Sequence, residues 1–217
     1  MVKIDMHMHT KYSWDSTNSL ENINKRCIKL GVTPIITDHN TIEGARKYYE
    51  QYRSCIIGEE ITTNQGELVG LFLKEEIKPL QDINETIDKI KAQGGLIYIP
   101  HPFDKRRKKV ISQEALKSIK KDIIEIFNSR NIDSIANKNA LDYANKNNLL
   151  KGVGSDAHFI REIGNSFVEL EPFNSVKEFI LNLKKAKYYT KKSPLYVHAG
   201  TKLIKFKNKS QNPINPC

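Results

Sequence analysis

The sequence predicts an α/β protein built on a largely parallel sheet, open or closed into a barrel. Two observations carry that reading. Short β-type runs alternate with helical patterns from end to end, the signature of strand–helix–strand units. A chain of 217 residues with 39% hydrophobic and 28% charged side chains also suits one domain of ordinary size with a real core. The longest apolar runs, such as Leu68–Leu73, fall far short of the ~20 residues of a membrane span. The N-terminus carries no apolar leader, so secretion by that route is not expected. Cys27, Cys55 and Cys217 are too few and too scattered for a disulfide framework or a cysteine-rich zinc module. A membrane protein, a disulfide scaffold and a disordered chain are thereby excluded, and the cytoplasm is the expected location.

Taken in order, Val2–His9 reads as the first strand and Leu20–Leu30 as a helix, with Ser19 placed to cap it. Pro34–His39 is a strand and Ile42–Tyr52 a helix; strands follow over Cys55–Thr63 and Leu68–Leu73. In Ile83–Gln93 the residues Ile83, Ile87 and Ile90 share one helical face, and Gly94-Gly95 ends it. Leu96–His101 is a strand, and Ser112 caps a helix over Gln113–Lys121. The strand Ile123–Asn128, the helix Asn137–Asn147, the strands Gly152–His158 and Phe167–Leu170 and the helix Val176–Ala186 complete the pattern. The expected organisation is one domain over residues 1–190 and a basic segment over 191–217, frayed from Ser210 to Cys217.

The formal net charge is +10, and its distribution matters more than its size. No acidic residue follows Glu178, whereas nine lysines do, among them Lys191, Lys192, Lys202 and Lys205. Two readings stand: a solvated, Lys-rich terminal helix, or an electropositive rim that attracts a phosphorylated or nucleic-acid ligand.

Five of the six histidines sit at the C-terminal ends of strand-like runs: His7, His9, His39, His101 and His158. In parallel α/β folds that end of the sheet is where active sites assemble. Carboxylates accompany them, including Asp5, Asp15, Asp38, Glu59, Glu60, Glu67 and Asp156. Alternation along a strand puts i and i+2 on one face, so His7 and His9 can reach one metal, and Asp156 and His158 one site. Imidazole and carboxylate donors suit Zn²⁺, Mn²⁺ or Fe²⁺. Asp38 is read as a partner that orients His39, with direct ligation the alternative. Trp14 is either a lid over the site or ordinary core.

His7-x-His9-Thr10, Thr37-Asp38-His39-Asn40, Gly58-Glu59-Glu60-Ile61, His101-Pro102 and Gly154-Ser155-Asp156-Ala157-His158, in this order, resemble the PHP (polymerase and histidinol phosphatase) domain. The resemblance runs from the first strand to about Lys187. It implies a distorted (β/α)7 TIM-like barrel, two or three divalent metal ions (Zn, Mn or Fe) and phosphoester hydrolysis. It also implies a ligand set of His7, His9, Asp15, His39, Glu60, His101, Asp156 and His158, acting in catalysis through the metals. Many small nucleotide-phosphatase relatives carry a histidine where Glu67 stands here; Glu67 is expected to ligate in its place. No long insertion separates Glu67 from His101, which suggests an open site.

Past His101, the loop Lys105-Arg106-Arg107-Lys108-Lys109 lies over the metal end of the barrel. Lys105 and Arg106 are the expected phosphate anchors, with Arg130 and Arg161 secondary candidates. The expected activity is hydrolysis of a small phosphorylated substrate, a nucleotide or similar, by a metal-bound hydroxide without a covalent intermediate. The alternatives are a nuclease acting on short single strands, a histidinol-phosphate-type phosphatase, a metal-dependent C–N hydrolase and a non-catalytic metal module. For a small substrate, the lysines beyond Ala186 are expected to be dispensable.

Overall fold

A computed structural model describes residues 1–211. Nine strands form a single sheet in the order β7-β6-β5-β4-β3-β2-β1-β8-β9. They are β1 (Val2–Met8), β2 (Val32–Ile36), β3 (Ile56–Thr63), β4 (Gly66–Leu71), β5 (Leu96–Ile99), β6 (Ile123–Asn128), β7 (Leu150–Gly154), β8 (Phe167–Leu170) and β9 (Lys187–Tyr189). The helices are α1 (Leu20–Leu30), α2 (Glu43–Tyr52), α3 (Ile83–Ala92), α4 (Gln113–Ser118), α5 (Ser134–Lys146), α6 (Val176–Leu183) and α7 (Tyr196–Gln211).

The sheet curls until its two halves meet. Beyond β7 the chain pairs with the end of β1: Asp156 N donates to His7 O at 2.7 Å, and His9 N donates to Ala157 O at 3.0 Å. The result is the expected barrel, nearly closed, with β8 and β9 added outside the seam. Gly154 permits this approach, since a Cβ there would lie 2.4 Å from the Cβ of His7.

The sheet is mixed rather than largely parallel. β1–β2, β2–β3, β5–β6 and β6–β7 are parallel, whereas β3–β4, β4–β5, β1–β8 and β8–β9 are antiparallel. The reversal at β4 comes from a tight hairpin, Thr63 pairing with Gly66 across Asn64-Gln65. Too few residues lie there for the crossover a parallel neighbour needs.

Buried side chains of both sheet halves form one core, among them Ile4, Met6, Leu68, Val69, Ile97, Tyr98 and Ile124. A second cluster under α1 and α2 joins Met8, Ile23, Cys27, Ile36, Tyr48 and Cys55. The two caps expected from the sequence form: Ser19 Oγ accepts from Asn22 N at 3.3 Å, and Ser112 Oγ from Ala115 N at 3.1 Å. α5 starts earlier than expected because Asp133 caps it, accepting from Ile135 N at 2.9 Å. β9 is not foreseen by the sequence pattern, and α7 is the Lys-rich terminal helix of one reading, packed against the barrel rather than simply solvated. The face α7 turns to the barrel carries Val197, Thr201, Lys205 and Asn208, which is not an apolar stripe. Of the expected frayed tail, Ser210 and Gln211 close α7, and residues 212–217 lie outside the described residues. Among the described residues no helix is long and apolar enough to cross a membrane.

Candidate metal centre

β1 ends with alternating side chains, so His7 and His9 both face the inside of the barrel and are fully buried. Their Nε2 atoms lie 3.2 Å apart. β3 alternates likewise. Glu60 points inward, and its Oε2 is 3.4 Å from both His7 Nε2 and His9 Nε2. Glu59 points to the opposite side, where its Oε2 accepts from Ile77 N at 3.0 Å.

The remaining residues come from turns past the strand ends. β2, β5 and β7 stop at Ile36, Ile99 and Gly154, short of the histidines expected to end them. His101 and Asp156 adopt left-handed backbone, φ 32° and 53°, conformations that cost of order 1–3 kcal/mol each. Strand alternation therefore does not bring Asp156 and His158 together, as the sequence suggested; a turn does. His101 Nε2 lies 3.0 Å from Glu60 Oε1, and Asp156 Oδ1 3.2 Å from His9 Nε2. His158 Nε2 lies 3.0 Å from Asp15 Oδ2. His39 spans the cluster, with Nδ1 3.1 Å from Glu60 Oε2 and Nε2 3.4 Å from Asp15 Oδ2. Glu67, at the start of β4, places Oε1 3.8 Å from His39 Nδ1.

All nine residues expected as ligands thus converge. They fall into overlapping groups whose donor atoms lie within 4.8 Å of one another: His9/Asp15/His39/His158, His7/His101/Asp156, His7/His9/Glu60 and His39/Glu60/Glu67. Their electrostatics suit a cation. Burial would raise Asp15 and Glu60, yet neighbouring imidazoles outweigh it and hold both carboxyls well below their usual range. Burial and the neighbouring His158 push His9 down to about 3, leaving its lone pair free. Glu60 Oε2 and His101 Nδ1 are buried without a hydrogen-bond partner. Ring nitrogens and carboxylate oxygens that converge in this way have more lone pairs than protons to share, and divalent cations satisfy such sets.

Residues outside the expected set hold these donors in place. Glu125 Oε1 lies 3.0 Å from His7 Nδ1 and accepts from Tyr98 Oη at 2.9 Å, while its Oε2 accepts from His101 N at 2.6 Å. A lone glutamate within the apolar run Ile123-Ile124-Glu125-Ile126 was the available signal for it. Asp38 does not orient His39: its carboxylate accepts from Thr10 N and Thr10 Oγ1, both at 2.6 Å, and shapes the turn after β1. Trp14 forms part of the rim, its ring 5.9 Å from that of His39.

The cations are placed differently from expectation. Lys105 and Arg106 are exposed. Their neighbour Arg107 turns inward instead, its Nη2 2.5 Å from Asp156 Oδ2, held also by Asp104 at 3.2 Å. Arg130 is buried and tied to α7, donating to Thr201 Oγ1 at 2.7 Å and Val197 O at 3.2 Å. Arg161 is exposed and lines a cavity of about 490 Å³ with Phe159, Lys191, Lys192 and Tyr196, next to the closing motif. The mouth of the cluster is also not open: α7 crosses near it and brings Lys205 Nζ to 3.2 Å from Asp15 Oδ2.

Comparisons with known proteins bear on the family and the fold. The PHP-associated (PHP_C) family model matches residues 134–188. The uncharacterized Methanocaldococcus jannaschii protein MJ0417 is 40% identical over 200 residues, covering 86% of this chain and 80% of that protein. A second protein of that organism, MJ1587, is 39% identical over 155 residues, covering 64% of this chain and 90% of its own. Among solved structures, PsfC of Pseudomonas syringae shares the fold with a TM-score of 0.63 at 13% identity, over 97% of this chain and 99% of its own. A Bifidobacterium adolescentis protein, provisionally assigned as a metal-dependent phosphoesterase, superposes with a TM-score of 0.58 at 17% identity, over 72% of this chain and 87% of its own. A Chromobacterium violaceum amidohydrolase, solved with bound sulfate and no metal, gives 0.61 at 12% identity, over 85% of this chain and 97% of its own. With five motifs in family order, a nearly closed barrel beneath them and a family match over its C-terminal part, the chain belongs to the PHP family of metal-dependent hydrolases.

Proposed function

We propose that this protein is a phosphoesterase that hydrolyses a small phosphorylated substrate, a nucleotide or similar, with two or three divalent ions. His7, His9, Glu60 and Asp156 would hold one ion; Glu60, Glu67 and His101 a second; Asp15, His39 and His158 a third. When bound, such ions supply Lewis acidity toward a phosphoryl oxygen and a water acidic enough to lose its proton near neutral pH. The observation that supports this reading most directly is Glu60. Both its oxygens face imidazoles, and the basic side chains of Arg107 and Lys205 stand at carboxylates of the same cluster.

The protein's own groups would do the rest. Glu125, bonded to His7 and to the backbone of His101, orients two ligands from one carboxylate. Arg107, anchored on Asp104 and Asp156, has further guanidinium donors with which to hold non-bridging oxygens. Burial of the cluster excludes bulk water and strengthens these interactions. Only His39 and Glu67 have side chains near a tenth exposed, at 11% and 8%. So narrow an opening favours a terminal phosphate over an internal phosphodiester, and the nuclease reading takes second place. The described cysteines, Cys27 and Cys55, are free and buried, which suits a reducing compartment such as the cytoplasm.

The test is metal analysis of purified protein followed by phosphate release from nucleotides, sugar phosphates and histidinol phosphate. Release that requires metal and is lost in folded Glu60→Gln is expected. Metal-loaded protein that releases no phosphate from any of them would overturn the phosphoesterase reading.

A further inference from the structure

The inward face of α7 is the least expected feature of the molecule. Val197, Thr201, Lys205 and Asn208 recur at steps of four, four and three residues, one side of a helix. Each touches the barrel's active end or its support. The buried Arg130 binds Val197 O and Thr201 Oγ1. Asn208 Nδ2 donates to Trp14 O at 2.6 Å. Between these two anchors stands Lys205, its Nζ 3.2 Å from Asp15 Oδ2 and 4.5 Å above the Trp14 ring. Lys205 thus stands at Asp15 while Arg107 stands at Asp156, two carboxylates of the same cluster.

A lysine is an unusual choice for the packed face of a helix, since its ammonium must keep a polar partner. Here that partner is one of the carboxylates expected to bind metal. The side chain is 39% exposed, so it sits at the mouth rather than within the cluster. When Asp15 shares its charge with an ion, the ammonium is left as a cation at the rim, facing the side on which an anionic substrate enters.

We infer that Lys205 is a substrate-binding residue of this enzyme. It holds a non-bridging oxygen of the substrate's phosphate opposite Arg107, and α7 is the wall that delivers it. The inference rests on the phosphoesterase reading and extends it: the segment beyond residue 190, separate by charge pattern, completes the site. It also reverses the expectation that the terminal lysines are dispensable for a small substrate.

The experiment compares wild type, Lys205→Ala and Lys205→Arg with Lys185→Ala, which removes the same charge from an exposed position outside the site. Inorganic phosphate is titrated calorimetrically into manganese-loaded protein, with metal content and thermal melting measured on each variant. Hydrolysis kinetics are run on the substrate found by the release screen. Lys205→Ala should bind phosphate about tenfold or more weakly and lose kcat/KM in proportion, with metal content unchanged. Lys205→Arg should recover part of the loss, and Lys185→Ala should stay within twofold of wild type. Phosphate affinity and kcat/KM within twofold of wild type in a folded Lys205→Ala would overturn the role of Lys205 alone. Wild type that neither binds nor releases phosphate would instead overturn the phosphoesterase reading beneath it.

Discussion

Glu125 Oε1 lies 3.0 Å from His7 Nδ1, and this contact decides which nitrogen of His7 faces the cluster. With Nδ1 turned to the carboxylate, Nε2 points at Glu60, His9 and Asp156. Burial lowers the His7 pKa, but Glu125, Asp156 and Glu60 outweigh it and raise it well above the ordinary value, so a bound ion at Nε2 would take the place of a proton. The same carboxylate holds the backbone of His101 in its left-handed turn. Glu125→Gln keeps the shape and removes the charge. It should weaken metal affinity by about 10–100-fold, measured by chelator competition, with folding retained. Wild-type affinity in that variant would show that the carboxylate's charge plays no part in holding His7.

Asp156 serves two masters. Oδ1 faces His9 and His7, while Oδ2 accepts from Arg107 and from Asn128. In Asp156→Asn an amide replaces an anionic donor at nearly constant shape. Elemental analysis should show reduced metal content, and kcat should fall by two orders of magnitude or more, on the scale of lost electrostatic stabilisation in active sites. Unchanged content and activity would make Asp156 structural.

Chelator-treated protein should melt lower than metal-loaded protein, because an ion that binds only the folded state stabilises it by mass action. At a hundredfold excess over Kd that is about 2.7 kcal/mol, or roughly 5–10 °C for a domain of this size. Glu60→Gln should lose most of the increment, since Glu60 belongs to two of the four donor groups and the other two share His7, His9 or His39 with those. Calorimetry with and without manganese reads this directly, and an equal increment in both proteins would contradict the central place of Glu60.

Glu59, one residue away, gives a pH signature of a different kind. It is buried among apolar groups, which pushes its carboxyl up to about 8. The folded state therefore keeps a proton that the unfolded chain releases near its ordinary value of 4.5. The corresponding stability is fully present below pH 4.5 and is lost as pH rises through about 8. Glu59→Gln, uncharged throughout, should flatten that part of the stability curve. Urea melts of the metal-free proteins at pH 6 and pH 9 compare the two, and parallel curves would refute the assignment.

Gly154→Ala should be severely destabilising without touching any donor atom. The added Cβ would meet the His7 Cβ at 2.4 Å and the Glu125 carboxylate at 2.8 Å, between two strands that cannot part without opening the seam. A thermal melt lowered by several degrees, together with reduced metal content, is the expected outcome. A melt equal to wild type would mean the β1–β7 approach is looser than this.

What the sequence determined by itself is the material of the site and its order. Histidines at the ends of apolar runs, with carboxylates beside them, were legible because strand alternation is local: it sets His7 with His9 and turns Glu60 in while Glu59 turns out. Caps such as Ser19 and Ser112 were legible for the same reason, each a contact across three residues. Tertiary structure alone decided which cations reach the cluster. Lys105, Arg106 and Arg107 are adjacent in sequence and alike in charge, and only the loop's path turns Arg107 onto Asp156. Lys205 meets Asp15 across 190 residues, on a helix whose packed face carries no apolar stripe to announce it. Glu125, hidden in an apolar strand, becomes the hinge of two ligands only when β6 lies beside β5 and near β1. Periodicity reports the side of an element on which a residue lies; it holds no information about which distant element will meet that side.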